Sequence, residues 1–250
     1  SCRPLFGPTA ACFPIQADGS LGEASWKFKN TAPVGPNKGR QDAPHMHCAV
    51  VDARSRHAYF CDLGTDEVLT FDFDNEKGTL AQLPSAKIAP GGGPRHLALH
   101  PSGRFAYVNH ELDNRITAFA VDATTGGLSP LNTLSTVPPD WTHGGTSEIQ
   151  VHPTGKWVYV SNRGHDSIAG YTIEDDGTLG EKVMLTDLGV KEPRGFDIDP
   201  TGNYMVVGGQ GTDDVVVLKI DGQDGSLKTV SKIKDIAKPV CIMFARPGRH

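Results

Sequence analysis

The segment "GGGPRHLALHPSGRFAYVNHELDNRITAF", residues 91–119, sets arginine, three histidines and a glutamate between runs of strand-forming residues. Guanidinium, carboxylate and imidazole together can hold an anion and move a proton. Related groups recur along the chain: His45 and His47 in "PHMH", Glu148 in "TSEIQ", Arg163 in "SNRG", Arg194 in "EPRG" and Gln210 in "GGQG". Whether these side chains reach one another depends on the elements that carry them.

Those elements are repeated. "HPSGRFAYV" at 100–108 returns as "HPTGKWVYV" at 152–160, "DPTGNYMVV" at 199–207 and, more weakly, "DARSRHAYF" at 52–60. A second run follows each copy after a short turn: "ITAFAVDATTGGL", "IAGYTIEDDGTL", "VVVLKIDGQDGSL" and "VLTFDFDNEKGTL"; a fifth, "AACFPIQADGSL", stands alone at 10–21. Each unit alternates apolar and polar residues in short runs broken by P-S/T-G, D-x-[IV] and D-G or G-G turns. That is the signature of four short antiparallel strands. No stretch sustains an amphipathic helical period. Four-stranded units at this period predict an all-β chain built as a β-propeller, a single domain over residues 1–250. A β-sandwich would not repeat its turn chemistry so regularly. In a propeller the first strand of each blade lines a central channel, so equivalent inner positions converge.

Two repeat positions break the regularity. Eight residues before the turn glycine stand His47, Arg95, Ser147, Arg194 and Val240, spaced by 48, 52, 47 and 46; eight residues after it stand Leu63, Glu111, Arg163 and Gln210. A structural position should carry similar residues in every copy. These switch between cation, carboxylate, amide and apolar, which suits a ring facing one shared ligand. Unused, such an inward cluster of charge would be costly. Glu148, beside Ser147, and Gln210 are expected as further substrate contacts. Trp157, Tyr107, Tyr59 and Phe105 of the repeated strand read as blade core, and Trp141, in the irregular "VPPDWTHGG", as a cap over the channel mouth. A regular strand would turn His96 away from Arg95. The "HP" histidines His100 and His152 read as structural hydrogen-bonding groups. No metal ligand set and no cofactor are expected, and no G-x-S-x-G elbow appears.

Composition narrows the partners. A net charge of −5 gives no reason to expect nucleic acid or an anionic membrane, and no apolar run approaches a membrane span. Five scattered cysteines without a C-x-x-C pair suggest reduced thiols and hence the cytoplasm.

The segments "RQDAPHMHCAVVD", "GGGPRHLALHPSGRFAYVNHEL", "SEIQVHPTGKWVYVSNRGHDSI" and "EPRGFDIDPTGNYMVVGGQGTDDV" resemble the lactonase seven-bladed β-propeller family over roughly residues 12–245. That family includes propeller-type 6-phosphogluconolactonase and carboxy-cis,cis-muconate cyclase. The resemblance implies a catalytic set of His47, Arg95, Glu111 and Arg163, with Arg194 as rival for the second arginine; His45 is a weaker substrate contact. It implies hydrolysis of a sugar-acid lactone, most readily 6-phosphogluconolactone, with His47 or Glu111 as general base. The alternatives are the reverse-type lactonizing chemistry on a carboxylate substrate and a non-catalytic binding propeller. About five blades' worth of sequence is present. The expectation is therefore a ring lacking about two N-terminal blades, in which "SCRPLFGPTA" matches no inner strand. The other possibility is a five-bladed ring closed by pairing "KPVCIMFAR" with "ACFPIQA".

Overall fold

The computed structural model describes residues 2–5 and 7–245. Its regular structure is entirely β, as twenty strands in five antiparallel sheets. The first sheet holds β1 (Cys2–Leu5), β2 (Thr9–Cys12) and β3 (Trp26–Lys29). The second holds β4 (Met46–Val51), β5 (His57–Asp62), β6 (Glu67–Asp74) and β7 (Thr79–Gln82), with β8 (Ala86–Lys87) added against β6. The third runs β9 (Pro94–Leu99), β10 (Phe105–His110), β11 (Arg115–Val121) and β12 (Leu128–Ser135). The fourth is β13 (Gly145–Val151), β14 (Trp157–Arg163), β15 (Ser167–Ile173) and β16 (Leu179–Asp187). The fifth is β17 (Pro193–Ile198), β18 (Tyr204–Gly209), β19 (Asp214–Ile220) and β20 (Leu227–Ile233). Strands β1, β4, β9, β13 and β17 contact one another in that order, so they line the axis and the blades radiate from them.

Four apolar cores lie between successive blades. One joins Phe60 and Phe71 to Ala10 and Cys12; another joins Tyr59 and Val68 to Leu97 and Val108. The next two pack Tyr107 on Val158 and Tyr159 on Val207. Tyr59, Tyr107 and Tyr159 of the repeated strand are buried in these cores, and their hydroxyls need partners there. Tyr59, Tyr107 and Tyr159 donate to the carbonyls of Gly126, Gly177 and Gly225, each in the outer hairpin turn of the following blade, at 3.0, 3.0 and 2.8 Å. The same turns receive the first side chain of the repeated strand: His57 packs on Gly126, Phe105 on Gly177 and Trp157 on Gly225. Tyr204 occupies that position in β18 and is 43% exposed, because no further blade lies against it among the described residues.

A second set of links works at the channel side. His100 and His152 each take a hydrogen bond from their own turn on Nδ1 and donate from Nε2 to the turn glycine carbonyl of the next blade, Gly155 O at 3.0 Å and Gly202 O at 2.8 Å. In the D-x-[IV] hairpins, Asp66, Asn114, Asp166 and Asp213 all adopt positive φ (58°, 55°, 56° and 54°). Asx side chains tolerate that conformation and bond to nearby backbone. Here they reach the segment after their own blade: Asp66 accepts from Gly91 and Gly93 N–H, Asp166 from Glu192 N–H and Asp213 from Lys238 N–H, while Asn114 donates to His143 O. The clamps of Asp66, Asn114 and Asp166 place the start of the next inner strand; that of Asp213 holds the segment after β20.

Three expectations are corrected. Cys12 is disulfide-bonded, so the thiols are not all reduced; Cys2 stands opposite it in the β1–β2 register. Cys48, Cys61 and Cys241 are free. Residues 2–5 do form a strand, β1, on the β4 side of the first sheet, and residues 10–12 belong to its middle strand. The described part of the C-terminal segment does not pair with β2, whose two edges are taken by β1 and β3. Residues 239–241 run instead beside Gly195 and Gly208 of the last blade. Among the described residues no helix is long and apolar enough to cross a membrane.

Gly177 has φ 85°, and a Cβ there would collide with the Phe105 ring; Gly103 has φ 70° with open space around it. Gly177→Ala is expected to cost about 2–4 kcal/mol, backbone strain plus overpacking, against about 1 kcal/mol for Gly103→Ala, read by urea unfolding. Equal costs would mean that this contact between blades is slack.

Candidate active site

The inner strands are not regular where they begin. In β9, Pro94 pairs with His110 and His96 with Asn109, leaving Arg95 as an extra residue. The same irregularity leaves His47 extra in β4, Arg194 extra in β17, and Ser147 with Glu148 facing Ser161 in β13. A bulge of this kind bends the strand and re-aims its side chains. The variable repeat position is thus the bulge position. It also explains why His96 does not turn away from Arg95: their side chains meet, Nη1 to Nε2, at 3.0 Å.

Glu111 follows β10 at the same mouth of the channel and is 4% exposed. Arg95 Nε donates to Glu111 Oε2 at 2.8 Å, and Arg163 Nη2 lies 3.3 Å from the same oxygen. Arg40, from the loop before β4, reaches Glu111 Oε1 at 2.5 Å. His47 Nε2 stands 3.9 Å from Oε2, close but beyond a hydrogen bond. Arg95 is further held by the Ser147 carbonyl and Arg163 by the Thr146 carbonyl. Two buried nitrogens of these side chains, His47 Nδ1 and Arg163 Nε, have no hydrogen-bond partner among the described residues.

The fields in this cluster set the protonation states. Burial alone would raise the Glu111 carboxyl, but the Arg163, Arg95 and Arg40 guanidiniums outweigh it and hold the group at about 2. Burial, followed by the charges of Arg95 and His96, pushes the His47 imidazole down to about 3 against the opposing pull of Glu111. Burial also draws Arg95 down to about 10, which leaves it charged at neutral pH. The resting site is an ionised carboxylate, a neutral imidazole and a surplus of guanidinium charge.

The other expected residues make no bond to Glu111 among the described residues, although the charges of Glu148 and Arg194 are felt at Arg95. Arg194 Nη1 is 3.5 Å from Gln210 Oε1, so those two face each other and neither reaches Glu111. His45 pairs with Asp42 at 2.8 Å on the exposed loop, and the half-turned bulge gives the inward position to His47. Glu148 Oε1 meets His96 Nδ1 at 3.0 Å, one step removed from Arg95. His96 and Glu148 continue into a cavity of about 490 Å³ lined also by Gln150, Asp197 and residues 240–245. Trp141 is exposed, edge-on to His165 at 4.8 Å, and its Nε1 donates to His143 O. No group of three metal-ligating side chains is assembled among the described residues. Arg40 was invisible to the repeat comparison, since its loop has no counterpart in the other blades. His96 was lost to the assumption of a regular strand.

The channel mouth of this propeller joins a neutral imidazole to a buried carboxylate and clustered guanidiniums, groups able to hold an anion and accept a proton. The comparisons narrow that chemistry: the chain matches the family "Lactonase, 7-bladed beta-propeller" over residues 7–244 and belongs to it. It is 35% identical over 234 residues to a 6-phosphogluconolactonase of Bacillus subtilis, covering 93% of this chain and 66% of the relative. A Lactobacillus plantarum protein of known crystal structure superposes with a TM-score of 0.88 at 30% identity, over 94% of this chain and 67% of that one. A periplasmic gluconolactonase of Pseudomonas aeruginosa gives 0.82 at 28% identity, over 92% and 64%. The chain thus spans about two thirds of the length of these relatives.

His47 excludes a proton in the folded state that it binds when unfolded. Its contribution to stability is complete above about 6.5 and is lost as the pH falls toward about 3. Glu111, ionised at about 2 against 4.5, adds a second loss from 4.5 downward. The urea midpoint is expected to fall between about pH 7 and about pH 5, and to fall less in His47→Gln. Equal slopes in the two proteins would contradict the neutral imidazole.

Proposed function

We propose that the chain is a lactone hydrolase acting on 6-phosphogluconolactone, working as one propeller domain. The observation that carries this reading is Glu111 ringed by Arg95, Arg163 and Arg40, with His47 and its unpartnered Nδ1 alongside. The name borne by the Bacillus subtilis relative supports the choice of substrate.

In this reading His47 is the general base. Glu111 is too strongly held as an anion by its guanidiniums to take a proton at neutral pH. His47 starts neutral and accepts the proton of the attacking water as that oxygen bonds to the lactone carbonyl carbon. Burial is the larger cause of the depressed imidazole; an incoming phosphate and the developing oxyanion offset the Arg95 charge that adds to it, so its basicity rises when the substrate is present. Arg95 and Arg163 face the oxyanion, their orientation held by Glu111 and two backbone carbonyls. The bond from the carbonyl carbon to the ring oxygen then breaks, that oxygen takes up a proton, and the open-chain acid leaves. Arg163, which reaches Glu111, takes the second arginine role ahead of Arg194. The Cys12 disulfide favours an oxidising compartment over the cytoplasm as the place of action.

The test is hydrolysis of 6-phosphoglucono-δ-lactone followed by NMR above the spontaneous rate. His47→Ala is expected to lower kcat by about 100-fold or more, the usual weight of a positioned base. Glu111→Ala is expected to lose at least as much, by releasing both arginines. No turnover from the folded wild-type chain would remove this reading and leave a binding propeller.

A further inference from the structure

Three guanidiniums converge on one carboxylate, and they are not held alike. Arg95 is buried and tied to Glu111, the Ser147 carbonyl and His96. Arg163 is tied to Glu111 and the Thr146 carbonyl. Arg40 has Glu111 as its one partner among the described residues, and its side chain is 52% exposed. Its loop is nonetheless anchored. The buried Gln41 donates to Leu63 O and Asp66 Oδ1 and accepts from Asn37 N–H, and Gly35 N–H donates to Gly64 O. Arg40 therefore has a firm base, a free stem and a single replaceable partner, on the solvent side of the cluster.

Charge says what would replace it. Three guanidiniums against one carboxylate leave an excess of two positive charges. Nearby Glu148 is engaged with His96, and Arg194 faces an amide. A neutral sugar hydroxyl would not relieve that excess, whereas a phosphate dianion matches it and accepts in the forked geometry of guanidinium. Swinging Arg40 away leaves Glu111 still paired with both buried arginines. We propose that Arg40 is the phosphate-reading residue of this site: it exchanges Glu111 for the substrate's phosphate and so selects phosphorylated over unphosphorylated lactones. The assignment rests on the lactonase reading for its substrate, with the lactone end deep against His47 and Arg95 and the phosphate end at the mouth.

Steady-state hydrolysis of 6-phosphoglucono-δ-lactone and glucono-δ-lactone by the wild-type chain and Arg40→Gln tests it. The ratio of kcat/KM between the two lactones is expected to fall about 10-fold or more, carried by KM for the phosphorylated one, as for loss of one charge-assisted pair. Loss by the same factor on both lactones would overturn the proposal, because Arg40 would then serve only to hold Glu111. Calorimetric titration with 6-phosphogluconate and with gluconate separates this from the hydrolysis reading. Binding of 6-phosphogluconate that weakens in Arg40→Gln supports the assignment even if neither lactone is turned over. Equal affinity in the two proteins overturns it.

Discussion

A carboxylate 4% exposed to water can remain ionised only if positive charge surrounds it, and Glu111 has three guanidiniums within reach. That requirement organises the mouth of the channel. Arg95 and Arg163 come from different blades, and the carboxylate between them comes from the turn after β10, so one side chain ties the second strand of one blade to its own inner strand and to the next blade. Breaking a buried pair by removing one partner typically costs about 3–5 kcal/mol, because the remaining charge is stranded. The arginines cannot drift without stranding Glu111, and Glu111 cannot protonate without releasing the arginines. Burial, with the Arg95 charge added to it, suppresses the His47 proton.

Much of this was legible from the repeat. Turn chemistry and alternation specified blades of four strands, and aligning copies on the P-S/T-G turn isolated His47, Arg95, Glu111 and Arg163, which the structure brings together. The alignment could not rank Arg163 against Arg194, because both occupy varying positions; only the distance to Glu111 separates them. At His47 and Arg95 the varying position coincides with a bulge, which the repeat registers as an irregular residue without revealing its geometry; Glu111 and Arg163 vary instead at the end of the second strand.

What escaped was whatever the repeat does not encode. Arg40 stands on a connection that occurs once, so no comparison within the chain could mark it. His96 was set aside by strict alternation, a rule suspended at a bulge. The state of Cys12 depended on the β1–β2 register, in a part of the chain where the repeat has faded. Each miss comes from local backbone geometry or from a unique segment, where composition and period carry no information.

The tyrosine-to-glycine links have a consequence for how such a chain changes over evolutionary time. Tyr59, Tyr107 and Tyr159 make the same bond to the same kind of turn in the neighbour, so one interface serves three of the four junctions. None of those residues belongs to the charged cluster. A duplicated unit therefore arrives with its docking surface already solved, while its bulge residue is free to diverge. Copying supplies the scaffold, and divergence at the bulge and at the end of the second strand supplies an asymmetric pocket from a nearly symmetric gene.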